Sequence, residues 1–196
     1  MNVLARRYYA VHDAIFGTLQ YLDGLAPRAM RLYLAYPFWY AGRQTLAGID
    51  NTIAWFGNPD WGLGLPFPSL LAHIAAYTEF VGAWLLLIGL ATRWISIPLM
   101  VTMLVAIFAV HWDHGWFAIA QSTDQEVAVR LDAARDILQE HGNYAWLTGK
   151  GGFVILQNGI EFAVTYLIML LALLFTGGGR FVSADYYLSL LFPRES

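Results

Sequence analysis

Residues 93–111 form an apolar stretch that is long enough to cross a lipid bilayer, and its ionisable side chains, Arg93 and His111, stand at its two ends. A membrane-spanning helix needs about 20 mostly apolar residues. A second stretch, residues 69–91, has the same character. The link between them, Ala91-Thr92-Arg93, is so short that the two predicted helices must run antiparallel.

The composition also indicates a membrane protein. Of the 196 residues, 58% are hydrophobic and 13% are charged, whereas soluble domains carry about a quarter charged residues. A single soluble domain of this length has too little interior to bury so much apolar surface. The net charge of −3 argues against nucleic acid as a partner. The absence of cysteine excludes disulfides, thiolate nucleophiles and thiolate-ligated zinc.

Two further stretches complete the prediction of an all-α integral membrane protein, a transmembrane four-helix bundle. Residues 29–48 are interrupted by Arg43 and Gln44, and residues 152–176 contain Asn158 and Glu161. Residues 3–24 show helical spacing with polar residues on the other face, which predicts an amphipathic helix on the membrane surface or an ordinary packed helix.

The long connection between the third and fourth spans is predicted to carry a helix of its own. Ser122 or Thr123 can cap this extramembrane helix, Glu126 can pair with Arg130, and Gly142 can end it. The expected organisation is an amphipathic N-terminal segment at 1–28, a four-span bundle at 29–187 with an extramembrane insert at 112–151, and a C-terminal tail at 188–196.

The distribution of basic residues predicts the orientation. With both termini on one side, that side holds Arg6, Arg7, Arg28, Arg31, Arg93, Arg180 and Arg194, and the other holds Arg43, Arg130, Arg135 and Lys150. Positive charge is enriched in cytoplasmic loops. Both termini are therefore predicted to be cytoplasmic, with both long loops on the opposite side.

Two glutamates inside the predicted spans are candidate catalytic residues, because charge within a membrane is costly and marks function by default. Glu79 and Glu161 each lie roughly ten residues into a span, which places both about 15 Å below the outer surface. We predict that Arg43 forms an ion pair with one of them, and that the other is protonated or bonded to Asn158, Thr165 or Gln44. The alternative is an ion network with a purely structural role.

The run His111-Trp112-Asp113-His114 closes the third span. His111, His114 and Asp113 are candidate metal ligands. Candidate cofactor-binding residues are His73, His111, Asn158 and Trp112, and a haem between His73 and His111 is a weaker alternative. The run is equally explained as a solvated helix end anchored at the interface by tryptophan.

The chain resembles the DoxX family of small four-span bacterial membrane proteins. The pieces that carry the resemblance are Arg31-Leu32, Ala41-Gly42, Glu79-Phe80-Val81-Gly82, Ile88-Gly89-Leu90-Ala91-Thr92-Arg93, Ala109-Val110-His111-Trp112, Asn158-Gly159-Ile160-Glu161, Gly177-Gly178-Gly179-Arg180, and Ser183 with Asp185. The resemblance implies a multi-pass bundle in the bacterial inner membrane and a link to the DoxD subunit of thiosulfate:quinone oxidoreductase. The Ala-Val-His-Trp run is similar to the HvfX-like branch, found beside metal-linked peptide maturation genes.

Three functions compete. The first is a subunit of a quinone-dependent oxidoreductase, in which Glu79, Glu161 and Arg43 supply protonation and orientation to a quinone. The second is a membrane assembly module whose outer loops dock a soluble redox, metal-handling or peptide-maturation protein. The third is a small proton-coupled transporter that uses the two glutamates as a switch. The bilayer is the common partner, and a homo-oligomer is compatible with each function.

Overall fold

The computed structural model describes residues 2–193, and within this range the regular structure is helical, apart from an isolated antiparallel bridge between Ile119 and Leu156. The chain divides into two compact units. Unit 1 comprises the described residues up to Thr102 and from Tyr166 onward. Unit 2 comprises Met103–Thr165. This division differs from the segments expected from the sequence, since unit 2 includes the ends of two predicted spans.

The bounds of the helices are as follows. In chain order they are α1 (Val3–Phe16), a 3-10 turn (Leu19–Leu22), α2 (Leu25–Ala47), α3 (Ile49–Gly57), α4 (Pro68–Ile88), α5 (Thr92–Val105), a π-helical segment (Ala106–His111), a 3-10 turn (Trp112–His114), α6 (Gln125–His141), α7 (Tyr144–Leu147), α8 (Glu161–Thr176) and α9 (Ala184–Leu191).

Two of the described helices are long and apolar enough to cross a membrane. These are α4, with 21 residues, and the continuous helix Thr92–His114, with 23 residues, which consists of α5 and the π-helical and 3-10 segments after it. Helix α8 is apolar but has only 16 residues. Helix α2 has 23 residues, but three arginines interrupt its apolar character. The all-helical fold is therefore confirmed at this level, and four membrane spans remain a prediction.

The fourth predicted span, 152–176, is wrong in its first third. Residues 152–160 form no helix, and α8 begins at Glu161. The segment instead bonds to the chain before α6, because Ala118 O accepts a hydrogen bond from Gln157 N at 3.0 Å. Gly159 fits against that chain only without a side chain, since a Cβ there would lie 2.5 Å from Gly115 O. Extended pairing has replaced the predicted helix.

The core of unit 1 is built where α2 crosses α4. A Cβ at Gly42 of α2 would lie 2.5 Å from the backbone nitrogen of Phe80 in α4, so the two helices are in direct backbone contact there. Leu34 and Phe38 of α2 and Leu86 of α4 are almost fully buried. Small residues at such crossings are typical of helix packing in membranes.

The two predicted extramembrane helices are present with changed bounds. Helix α1 ends at Phe16 rather than near residue 24, and none of its residues is buried, so the surface-helix interpretation stays a prediction. The cap of α6 is Asp124, not Ser122 or Thr123, because the Asp124 carboxylate accepts hydrogen bonds from the backbone of Glu126 and Val127. Glu126 pairs with Arg130, and α6 ends before Gly142, as predicted. Arg194, counted in the orientation argument, lies outside the described residues.

Candidate functional site

Arg31 in the second turn of α2 is a fully buried arginine. Its side chain is 1% exposed, and its guanidinium donates to Leu86 O at 3.2 Å, Phe181 O at 3.2 Å and Val182 O at 3.1 Å. A buried charge is tolerated only with hydrogen-bond partners. Leu86 O belongs to the last turn of α4, where it also accepts a hydrogen bond from Gly89 N at 3.2 Å. Arg31 therefore caps α4 and holds the segment after α8 against it.

Gly89 makes room for this arginine. A Cβ at Gly89 would overlap the guanidinium of Arg31 and would lie 2.9 Å from Ser183 Oγ. Gly89 also has φ +67°, a left-handed conformation that ends α4 and favours glycine. Ser183 Oγ donates to Gly89 O at 3.1 Å. Both the backbone conformation and the close packing therefore require glycine at this position.

Asp185 completes the arrangement at the start of α5. Its carboxylate accepts hydrogen bonds from Ala91 N at 2.6 Å and Thr92 N at 2.8 Å, and its own backbone N–H donates to Gly89 O at 2.9 Å. A carboxylate at a helix N-terminus satisfies unpaired N–H groups and interacts favourably with the helix dipole. Asp185 thus caps a helix that begins 93 residues earlier in the chain.

These side chains form one cluster, which we call the arginine junction. It consists of Arg31, Gly89, Ala91, Thr92, Ser183 and Asp185. It ties the first half of α2, the α4–α5 hairpin and the segment before α9 together within unit 1. The junction was not predicted as a site, although all of its residues belong to the pieces that carry the DoxX resemblance.

An open cavity of about 840 Å³ lies beside the junction in unit 1. Its lining includes Arg93, Trp94, the turn Gly177–Arg180 and Asp185. Arg93 Nη2 donates to Phe175 O at 2.9 Å. Arg180 Nε lies 2.7 Å from a carboxylate oxygen of Asp23. The cavity thus combines cationic side chains with a turn of three successive glycines.

Glu79 is half-buried in the middle of α4. Among residues 2–193 Glu79 has no hydrogen bond or ion pair, and Arg43 forms no ion pair, so the pair predicted between Arg43 and either Glu79 or Glu161 is not formed. The Arg43 guanidinium instead lies over the ring of Trp39, 5.5 Å from its centroid. Because residues four apart share one face of a helix, Arg43 lies on the same face of α2 as Trp39. The residue of α2 that contacts α4 at this level is Gly42.

A small apolar slot of about 230 Å³ lies between α2 and α4. Its lining residues are Leu32, Ala35, Tyr36, Trp39, Ala83, Trp84 and Leu87. Glu79 precedes Ala83 by four residues, so the two share one face of α4. An unpaired carboxyl therefore lies one helical turn from an apolar slot bordered by aromatic rings.

Glu161 has a structural partner in unit 2. It is the first residue of α8, and its Oε2 accepts a hydrogen bond from Ala118 N at 3.0 Å. Because no helix precedes it, the argument that placed it at the depth of Glu79 does not hold. Asn158 lies before the helix with φ +60°, so the predicted helical face shared by Asn158, Glu161 and Thr165 is wrong. The transporter hypothesis loses the second glutamate that it needs.

The side chains of His73 and His111 bond to backbone carbonyls, and the backbone carbonyl of His114 accepts from a side chain. His111 Nδ1 lies 2.8 Å from Asn158 O, and Gln157 Nε2 donates to His114 O at 2.8 Å. His73 Nδ1 lies 2.7 Å from Ser69 O. Within residues 2–193, no three side chains of His, Asp or Glu lie close enough to share a metal ion.

The predicted metal ligands His111, Asp113 and His114 therefore do not converge. Trp112 is exposed and packs on Phe108, with ring centroids 5.2 Å apart. This packing agrees with the alternative of a helix end carrying a tryptophan. A haem between His73 and His111 stays a prediction.

The described residues thus define an all-helical protein with two helices able to span a membrane and a buried arginine junction. Residues 26–112 match the model of the DoxX family, which is a membrane family, so the DoxX resemblance is confirmed. The match includes Arg31, Glu79 and the Gly89–Arg93 link, and ends before most of unit 2.

Two relatives extend the comparison. An uncharacterised Haemophilus influenzae protein is 22% identical over 178 residues, which cover 89% of this chain and 90% of that protein. A Bacillus subtilis protein named "Putative oxidoreductase CatD" is 32% identical over 81 residues, 41% of this chain and 56% of that protein. The chain thus spans about half the length of the second relative. No solved structure matches the chain.

Proposed function

We propose that the chain is a quinone-linked, redox-associated membrane subunit. The observation that carries the proposal is the unpaired Glu79 carboxyl, one turn of α4 away from the apolar slot that Trp39 and Trp84 border. An ionisable side chain inside an apolar helix is a functional residue by default. The name of the Bacillus subtilis relative, which contains the word oxidoreductase, supports the same class of function.

The slot suits a flat, apolar ring, because aromatic side chains favour stacking and edge contacts with such rings. Reduction of a quinone to a quinol takes up two electrons and two protons. The electrons come from a donor outside this chain. Glu79 can pass protons to the quinone oxygen as a general acid and recover them from water. Arg43, held over Trp39, provides positive charge at the same end of the slot.

The test uses a short-chain ubiquinone and the purified chain in lipid nanodiscs. Binding is measured by quenching of tryptophan fluorescence, and quinol formation is measured in membrane vesicles of cells that make the protein. Leu87→Trp fills the slot and should abolish binding, whereas Ile88→Trp, a matched control on the same helix outside the lining, should bind normally. Glu79→Gln should keep binding and lose quinol formation, while Glu140→Gln on the exposed α6 should change neither.

Two results would reject this function. If the wild-type chain binds no quinone, the slot has another role. If Glu79→Gln forms quinol at the wild-type rate, Glu79 carries no proton in the reaction. Equal binding by Leu87→Trp and wild type would place the quinone outside the slot.

A second candidate function, a docking module for a soluble partner, is favoured by the exposed apolar residues of unit 2. Val129 and Ile137 of α6 are 63% and 61% exposed, and Trp146 of α7 is 77% exposed. A redox, metal-handling or peptide-maturation protein would bind on this non-cytoplasmic surface. Cross-linking at Val129 in intact cells should capture such a partner, and a cross-link that appears equally at the polar Asp136 would argue against a specific surface.

The membrane arrangement forms part of the proposal. We place the chain in the bacterial inner membrane as a multi-pass protein, with α2, α4, the Thr92–His114 helix and α8 as spans and both termini in the cytoplasm. The length of α2, 23 residues, supports its assignment as a span. The relation to the HvfX-like branch and to the DoxD subunit stays a prediction.

A further inference from the structure

The cavity beside the arginine junction is lined by two arginines, Arg93 and Arg180, and by one carboxylate, that of Asp185. Four arginines lie at this end of unit 1: Arg28, Arg31, Arg93 and Arg180. Arg180 pairs with Asp23, and the Asp185 carboxylate is bonded to the backbone at the start of α5. Among the described residues the other three arginines form no ion pair. Of the two arginines in the lining, Arg93 is therefore the one that pairs with no carboxylate of the described residues, and its charge can attract an anion.

Arg93 is the arginine best placed to bind an anion in the cavity. In the described part of the chain it makes one hydrogen bond, from Nη2 to Phe175 O, whereas a guanidinium has five N–H donors. It lies against Gly177, where a Cβ would be 3.1 Å from Arg93 Nε. The following two residues, Gly178 and Gly179, pack closely on other parts of unit 1, since a Cβ would lie 2.9 Å from Thr92 Oγ1 at Gly178 and 3.0 Å from Pro27 Cβ at Gly179. A phosphate group matches the planar fork of an arginine.

The rim of the cavity is apolar and exposed. Trp94 is 78% exposed, Phe192 is 74% exposed and Leu188 is 42% exposed. The cavity also lies where α4 ends and α5 begins, which is the common end of the two helices long enough to span a membrane. Tryptophan is enriched at such interfaces. A ligand that satisfies both Arg93 and the apolar rim has a phosphate at one end and hydrocarbon at the other.

We propose that this cavity binds the headgroup of an anionic phospholipid. The lipid phosphate lies against Arg93 and the Gly177–Gly179 turn, and the acyl chains follow Trp94, Leu188 and Phe192 into the bilayer. Basic pockets next to membrane helices bind anionic headgroups in this way. The site is separate from the α2–α4 slot and does not depend on the quinone hypothesis.

The test measures lipid binding by the full chain in neutral detergent micelles doped with either phosphatidylglycerol or phosphatidylcholine at one mole fraction. Native mass spectrometry counts the bound lipid. Wild type should bind phosphatidylglycerol in preference to phosphatidylcholine. Arg93→Gln should weaken phosphatidylglycerol binding about fivefold, which corresponds to the loss of one arginine near a lipid surface. Arg93→Lys keeps the charge and should bind nearly as wild type.

Arg130→Gln is the matched control, since Arg130 is an exposed arginine of α6 in unit 2. It should leave lipid binding unchanged. The thermal unfolding midpoint of each variant shows whether it is folded, and Arg93→Gln should fold because it loses a single hydrogen bond.

Trp94→Ala and an excess of inorganic phosphate distinguish a lipid from a free anion. Trp94→Ala should weaken phosphatidylglycerol binding, and inorganic phosphate should fail to displace the lipid. Full displacement by phosphate together with normal binding by Trp94→Ala would overturn the lipid assignment. Equal affinity for the two lipids, or an equal loss in Arg93→Gln and Arg130→Gln, would overturn the site itself.

Discussion

The guanidinium of Arg31 occupies the space into which a side chain at Gly89 would project, with its Cζ 2.8 Å from the position of a Cβ there. Arg31 lies in α2, and Gly89 ends α4. The C-terminal end of α4 thus packs directly on a buried charged side chain of α2. One substitution at Gly89 and one at Arg31 test the contribution of this contact to stability.

Gly89→Ala should lower the free energy of unfolding by at least about 2 kcal/mol, because it combines a left-handed backbone with overlap of a buried charged group. Thermal unfolding in detergent measures the change. Gly152→Ala is the control, since a Cβ at Gly152 has no heavy atom within 4 Å. Equal stability of the two variants would show that Arg31 moves aside freely.

Arg31→Met should be more damaging, by roughly 3–5 kcal/mol, because it removes the donor of three hydrogen bonds to backbone carbonyls, each worth about 1–1.5 kcal/mol. Arg28→Met is the control, because it removes an arginine three residues away. Arg28 is half-buried and forms no ion pair among the described residues, so this substitution should lower the free energy of unfolding by less than about 1 kcal/mol. Urea or heat unfolding followed by circular dichroism compares the two. A similar loss in both would mean that Arg31 contributes only net charge.

The sequence predicts helices α4 and α5 well and the arginine junction not at all. Length and hydropathy alone place α4 and α5, and the short link at Ala91 determines their hairpin. The role of Arg31 was not predictable because its partners, Leu86 and Phe181, lie 55 and 150 residues away. No local pattern distinguishes a buried arginine from one at a membrane surface.

Glu79→Leu should raise the free energy of unfolding by about 1 kcal/mol. A half-buried carboxyl without a partner in the described structure is penalised by desolvation, and leucine suits an apolar helix. Thermal unfolding in nanodiscs measures the gain. Under the quinone hypothesis this more stable variant is also inactive. A loss of stability would instead reveal that Glu79 has a stabilising partner.

Glu161→Ala should speed hydrogen exchange at the Ala118 amide about tenfold, because the amide loses an acceptor worth about 1.4 kcal/mol. Glu161→Gln retains an acceptor oxygen and should exchange nearly as wild type. Exchange followed by mass spectrometry of the peptide that contains Ala118 gives the rates. If Glu161→Gln exchanges as fast as Glu161→Ala, the negative charge of Glu161, rather than its oxygen as an acceptor, holds the segment.

The proposed topology is tested by single cysteines in a chain that has none of its own. Gly152→Cys, at an open position in unit 2, should react with an impermeant maleimide added outside intact spheroplasts. Ser189→Cys on the exposed face of α9 should react only after the membrane is opened. The reverse pattern would invert the orientation, and reaction of both from outside would exclude an odd number of spans between them.

The error at residues 152–160 has a clear physical cause. Phe153 to Leu156 are apolar, and a short apolar run does not distinguish a helix from an extended strand. Gly151-Gly152 before this run and Asn158-Gly159 after it are turn signals that outweigh the hydrophobicity. The depth assigned to Glu161 was wrong for the same reason, since it depended on a helix that begins only at that residue.

Because Asp185 caps a helix that starts at Thr92, the α4–α5 hairpin reaches its final form only after the ribosome has synthesised the segment that follows α8. At about 5–20 residues per second, the delay is roughly 5–20 seconds. During this interval the start of α5 and the guanidinium of Arg31 lack their final partners. Until then the nascent hairpin is free to bind the insertion machinery or lipid headgroups. A ribosome stalled before Asp185 would leave a chain that inserts into the membrane but whose helix α5 lacks this cap.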